Sequence, residues 1–213
     1  VLPTAKDYKR IGAADTGLNT GGMGAISPVP FADSAFMDKI HSRVVVPTME
    51  GLAKDGLPYK GFIFIGLIKV GEEPFVIEYN VRLGDPETEV VLPRLQTDLV
   101  ALFKAVAEER LDSVSLEIDP RTATTVMSVA GGYPETYEKG HEIHGLDQDT
   151  DSVLFHAGTT MKEGKVVTNG GRVLAVTSFG ADYKAALAQS YKTLEGISFK
   201  DIYYRKDLGF DLE

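Results

Sequence analysis

"FVIEYNVRLGDPETE", Phe75 to Glu89, begins as a strand and then changes character. Side chains alternate along a strand, so Phe75, Ile77, Tyr79, Val81 and Leu83 share one face while Val76, Glu78, Asn80 and Arg82 share the other. One face is wholly apolar; the other lines up a carboxylate, an amide and a guanidinium. Asn is depleted in strands. Immediately afterwards Gly84, Asp85 and Pro86 turn the chain toward a helix, with Asp85 placed to cap it and Pro86 at its first position.

Working outward, "GFIFIGLIKV" (61–70) and "PFVIEYNV" (74–81) are β-rich runs separated by "GEE", the pattern of a hairpin. Before them, a helix is predicted from about Asp33, with Asp33 or Ser34 as cap and Phe36, Ile40 and Val44 at fourfold spacing. Pro47 should break or kink it, and it should end near Gly56. Beyond Pro86, Leu92, Leu95, Leu99, Phe103 and Val106 keep a helical period, interrupted by Pro93 and restarted by a Thr97 cap. From about Thr122 the texture changes to short strands, with "TNGGR" (168–172) as a hairpin turn and "DYKAALAQSYKTLEGI" as one clear helix. A boundary is expected at "IDPRT", near 118–122, separating 1–120 from 121–213. The opening Val1–Pro3 reads as a strand, and a start without Met suggests a piece of something longer.

Composition limits what the protein does. Of 213 residues, 31 are Asp or Glu and 22 Lys or Arg, a net charge of −9 with no basic run. Nucleic acid and anionic membranes are therefore poor partners. There is no cysteine, which excludes disulfides and thiolate metal sites, and the apolar runs are too short to span a bilayer. A cytoplasmic protein is expected.

Two stretches carry chemistry. Glu78 and Asn80, two apart on a strand, put two oxygens roughly 7 Å apart on one face, where they can share a hard cation with phosphate oxygens. Magnesium suits that arrangement. Taken alone, Glu-x-Asn is more often a strand face meeting water; the adjoining Arg82 and the Gly-Asp-Pro turn, which form an anion site, change the balance. "TGLNTGGMG", Thr16 to Gly24, is a glycine-rich loop whose backbone can approach a ligand, although it fits neither the P-loop nor the dinucleotide fingerprint. Taken alone it is as much a structural turn as a binding loop. Asp15, just before it, is a carboxylate for an amine or a sugar hydroxyl, or an ordinary turn residue. His41, His141, His144 and His156 have no metal-ligand spacing; His141 and His144 read as surface residues and His156 as a hydrogen-bonded core residue.

These residues resemble a known family. "DYKRIGAADTGLNTGGMGAISP", "VIEYNVRLGDPETE", "VLFHAGTT", "VTNGGRVLAVT" and the closing "YYRKDLG" run in order over essentially the whole chain and look like phosphoribosylamine–glycine ligase, of the ATP-grasp superfamily. The motif R-L-G-D-P-E-x-E is highly specific to it. The resemblance covers only the C-terminal half of that family's polypeptide. It implies an α+β fold, with the C-terminal part of an ATP-grasp domain (antiparallel sheet with helices) followed by a small mixed α/β domain. It implies a missing N-terminal half, and hence a chain inactive alone.

The implied reaction uses ATP to phosphorylate glycine and then joins it to 5-phosphoribosylamine, a step of purine synthesis. By that resemblance Glu78 and Asn80 hold Mg2+ (or Mn2+), with ATP as co-substrate. Arg82 is the implied catalytic residue, stabilising an anion. Asp15, Asn19, Gly21, Gly22, Met23, Gly24, Arg82, Gly84, Asp85 and Glu87 are implied to contact substrate. The chain departs from the family at Ala13, Ala14 and Leu18. Its preceding strand, "IFIGLIKV" (63–70), also lacks the further metal-binding Glu of many ATP-grasp enzymes. A different ATP-grasp ligase or carboxylase, and a non-catalytic module, are the other classes open at this point.

Overall fold

The computed structural model describes residues 1–212. In chain order the strands are β1 (Lys6–Asp7), β2 (Arg10–Gly12), β3 (Thr16–Asn19), β4 (Gly24–Ser27), β5 (Phe64–Val70), β6 (Glu73–Asn80), β7 (Thr122–Val129), β8 (Val153–His156), β9 (Thr159–Lys162), β10 (Lys165–Thr168) and β11 (Arg172–Gly180). The α-helices are α1 (Ser34–Ile40), α2 (Val46–Lys54), α3 (Thr88–Val91), α4 (Leu99–Ala107) and α5 (Tyr183–Glu195). They pack into two units interleaved in sequence. The first holds Val1–Val29, Asp85–Arg94 and the chain from Asp119 onward, and the second holds Pro30–Gly84 and Leu95–Ile118. The chain thus crosses between units near the expected 118–122 boundary, but the first 29 residues pack with the second half.

The first unit is built on a five-stranded sheet in the order β1-β4-β7-β11-β8, antiparallel throughout. β7 and β11 are its centre and are almost completely buried, as their long Val, Thr and Ala runs require. On one face Leu187 and Leu194 of α5 pack with Ile26, Val126, Leu174 and Val176. On the other, Val90 and Val91 of α3 cover Ala25 and Ala123. Helix α5 starts where Asp182 accepts a hydrogen bond from the Ala185 amide at 2.8 Å.

The second unit pairs the β5–β6 hairpin with α1, α2 and α4. The α1 cap is Asp33, which accepts from the Phe36 amide at 2.8 Å, and Phe36, Ile40 and Val44 are buried as the period predicts. Pro47 does not break the helix. A π turn at His41–Val45 joins α1 to α2, and Pro47 sits in the first turn of α2, where its missing N–H is tolerated.

Several expectations are corrected. Val1–Pro3 is not a strand; the first strand is β1. "TNGGR" is not the turn of a hairpin: β10 pairs with β9, and β11 pairs with β7 and β8. The turn instead folds onto Gly158, whose carbonyl accepts from the Asn169 and Gly170 amides at 2.7 and 3.1 Å. Helix α4 is capped by Asp98, while Thr97 bonds the 115–117 backbone instead. His156 is hydrogen-bonded, to Thr159 at 2.9 Å, but lies at the surface.

Candidate functional site

In the second unit Glu78 and Asn80 lie on one face of β6, and the Asn80 amide donates to Glu78 Oε1 at 3.0 Å. Opposite Glu78 on β5 stands Gly66, and a Cβ there would lie 3.1 Å from Glu78 Cγ. The strand partner is thus cut away to leave the carboxylate room. One carboxylate and one amide are hard oxygen donors suited to Mg2+, with waters and phosphates needed to complete the shell. Among the described residues no group of three or more His, Cys, Asp or Glu could hold a metal by itself. Arg82 is exposed and, among the described residues, donates to the neighbouring Leu83 carbonyl at 3.1 Å, a single bond that leaves most of its guanidinium available to an anion. Gly84 ends this unit, buried.

The other predicted residues belong to the first unit. Asp85 does not cap α3. Its carboxylate pairs with Arg172, whose Nη1 lies 2.8 Å from Asp85 Oδ1, 3.2 Å from the Asp85 carbonyl and 3.0 Å from the Gly21 carbonyl. Gly21 is held from a second side by the Tyr133 hydroxyl, which accepts from its amide at 3.0 Å. Gly22, at φ +122°, packs so tightly that a Cβ would meet Pro86 Cδ at 2.3 Å and Asp7 Oδ1 at 2.8 Å. Gly24 allows the Thr125 carbonyl and Leu208 to approach; a Cβ would meet them at 2.5 and 2.4 Å. Each of these glycines answers a steric demand.

Met23 is wholly buried with Met127, Val129 and Ala175, so its side chain contributes packing to the loop. Asn19 is exposed on β3, opposite Arg10. Asp15 is tied to Arg205, whose side chain is completely buried and donates to Asp15 Oδ1 at 2.6 Å and to Asp207 Oδ1 and Oδ2 at 2.9 and 2.8 Å. Glu87 is 7% exposed, and its Oε2 has no hydrogen-bond partner among the described residues.

Sequence reasoning missed Arg172, Arg205 and Asp7. The only signal for the two arginines was a cation inside an otherwise apolar stretch or beside a terminal turn. Asp7 offered none, since one acid beside Lys6 and Lys9 reads as surface. Burial, with Glu87 nearby, pushes the Asp7 carboxyl up to about 6, partly countered by Lys9. Glu89 is pushed up to about 7 by burial and by Asp85, partly countered by Arg172.

Known proteins resemble this chain in sequence and fold. The family model for the phosphoribosylglycinamide synthetase ATP-grasp (A) domain matches residues 1–88, and that for the C domain of the same synthetase matches 123–211. The chain belongs to this family. The phosphoribosylamine–glycine ligase of Synechocystis sp. is 47% identical over 213 residues, which are 98% of this chain and 51% of that protein. A bifunctional purine biosynthetic protein of Pichia angusta is 48% identical over 97% of this chain and 27% of its own length. The crystal structure of phosphoribosylamine–glycine ligase from Thermotoga maritima superposes with a TM-score of 0.85 at 37% identity, covering 97% of this chain and 51% of that one. The α+β architecture is the family's. The chain spans about half the length, or less, of the curated relatives it matches. Among the described residues no helix is long and apolar enough to cross a membrane.

Proposed function

We propose that this chain is the C-terminal half of a ligase that uses ATP to activate glycine as glycyl phosphate and joins it to 5-phosphoribosylamine, giving glycinamide ribonucleotide, ADP and phosphate in the cytoplasm. The observation that carries this reading is the Glu78–Asn80 pair, held at 3.0 Å on one strand face within a chain that matches both domains of one synthetase. In family terms, residues 1–120 complete the ATP-grasp domain and 121–213 form the C-terminal domain.

Glu78 and Asn80 hold Mg2+ (or Mn2+), which when bound neutralises phosphate oxygens. The exposed Arg82 guanidinium gives charge-assisted hydrogen bonds to an acyl-phosphate or phosphate oxygen. In the first unit Asp15, Asn19, the Gly21–Gly24 turn, Asp85 and Glu87 are the residues assigned to the amine substrate, and in the second Gly84 is. No side chain is asked to act as a nucleophile. Catalysis rests on positioning and charge compensation, and nucleic acid and membrane have no part in it.

The test is ADP release by the polypeptide that joins this chain to the N-terminal half its relatives possess. Magnesium, glycine and fresh 5-phosphoribosylamine are omitted in turn. Release that needs all three supports the reading; release that needs neither glycine nor the amine overturns it. The 213-residue chain alone should release none.

A further inference from the structure

One side chain outside the residues assigned to a substrate touches two of the segments that carry them. Arg172, at the start of β11, sends a single nitrogen, Nη1, to the Gly21 carbonyl at 3.0 Å, the Asp85 carbonyl at 3.2 Å and Asp85 Oδ1 at 2.8 Å. All three residues belong to the first unit. The guanidinium also lies flat against Gly21: a Cβ there would stand 2.9 Å from its Cζ, 3.0 Å from Nε and 3.1 Å from Nη2. Near-equal distances to three atoms of one plane put that position over the plane's face, so a side chain at Gly21 would push the guanidinium away.

A second clamp acts on the same residue. The Tyr133 hydroxyl accepts from the Gly21 amide at 3.0 Å. Its ring lies against Gly171, where a Cβ would meet Tyr133 Cδ2 at 2.2 Å and Cε2 at 2.7 Å. Gly22 presses on Pro86 in turn, with 2.3 Å from its absent Cβ to Pro86 Cδ. Arg172 and the Gly22–Pro86 contact thus hold the Gly21–Gly24 turn to the Asp85–Pro86 step, and Tyr133 fixes the turn from another side.

The clamp borders solvent, where a ligand arrives: the Arg172 side chain is 21% exposed and that of Asp85 51%. With Oδ1 taken by Arg172, Asp85 Oδ2 has no hydrogen-bond partner among the described residues. An ionised carboxylate is a strong acceptor for N–H and O–H donors, and an amino sugar carries both. An ion pair formed beforehand fixes the carboxylate's rotamer, which removes an ordering cost from binding.

We propose that Arg172 is a positioning residue for the amine substrate: it sets Asp85 so that Oδ2 accepts a hydrogen bond from an N–H or O–H of the amino sugar, and it locks the Gly21–Gly24 turn alongside. This rests on the ligase reading, which assigns Asp85 and the turn to that substrate. Arg172 acts through those two segments, with Tyr133 as its helper on Gly21.

The test is steady-state kinetics of the full-length polypeptide carrying Arg172→Lys. The ammonium keeps the charge but loses the planar group on which Gly21 rests. KM for 5-phosphoribosylamine should rise at least tenfold while KM for ATP stays within twofold. Tyr133→Phe, which keeps the ring and removes only the hydroxyl, should raise the same KM at least threefold. A fall in kcat with KM for the amine unchanged, or a rise of every KM together, is what a merely structural arginine gives and overturns the proposal. A second measurement needs no variant to fold. Glycinamide ribonucleotide added to the wild-type polypeptide should slow amide hydrogen exchange in the peptide containing Gly21 and in the one containing Asp85 over the same range of ligand concentration; slowing in neither, or in one alone, overturns the shared clamp. If wild-type ADP release needs neither glycine nor the amine, the ligase reading has failed and this proposal falls with it. If release needs both and KM for the amine does not move in Arg172→Lys, only this proposal fails.

Discussion

One nitrogen of Arg172, Nη1, lies 2.8 Å from Asp85 Oδ1 while also donating to the carbonyls of Gly21 and Asp85. A residue at the start of β11 thus fixes two loops that are 64 positions apart in sequence, 85 against 21. Removing it strands three acceptors at once.

Arg172→Ala should therefore lower stability by about 1–3 kcal/mol, the usual cost of losing hydrogen bonds to a charged group. Arg172→Lys should recover only part of this, because an ammonium lacks the planar fork. Urea unfolding of the two variants beside the parent chain measures both; equal stability of all three would show that the junction does not depend on the guanidinium.

Gly22→Ala should be more costly than an ordinary Gly→Ala change. The new methyl must fit at φ +122° and 2.3 Å from Pro86 Cδ. A loss of about 2 kcal/mol or more in thermal unfolding is expected, since strain and overpacking act together.

Stability should fall as pH rises through the range in which Asp7 and Glu89 ionise. Their folded pKa values, about 6 and about 7, lie above those of free carboxyls, so the folded state binds more protons there than the unfolded state. The stabilisation is complete below about pH 4 and is lost by about pH 7. Asp7→Asn should remove the part of that slope between pH 4 and 6, on the order of 2–3 kcal/mol in total. Denaturation midpoints at a series of pH values would reveal an unchanged slope if Asp7 were not the group responsible.

Glu78→Gln should leave stability within about 0.5 kcal/mol of the parent, because the side chain is exposed. In the full-length polypeptide the same change should weaken magnesium-dependent nucleotide binding at least tenfold. Calorimetric titration with and without magnesium separates the two effects; loss of binding in both would point to a fault other than the metal site.

Local pattern made much of this legible. The β5–β6 hairpin, the shared face of Glu78 and Asn80, the Asp33 cap and the α5 helix each depend on residues within a few positions of one another. Period and capping chemistry encode such features directly. Where reasoning from neighbours failed, a distant partner had taken the group concerned. Asp85 looked like a cap and went to Arg172; "TNGGR" looked like a hairpin and folded onto Gly158.

By itself, then, the sequence determined the β5–β6 hairpin, the α5 helix, the shared face of Glu78 and Asn80 and, through its ordered motifs, the family. Only the tertiary structure decided which strands lie side by side, bringing Asp7, Thr125 and Thr177 into one row with Glu87 and Glu89 over it. The physical reason is that the periodicity of a strand fixes which side chains share a face, whereas its neighbour in the sheet is chosen by burial summed over the whole chain. Asp7 has nothing in its local sequence to mark it as buried. It is buried because β1 joins the edge of a sheet whose other members begin at Gly24 and end at Gly180.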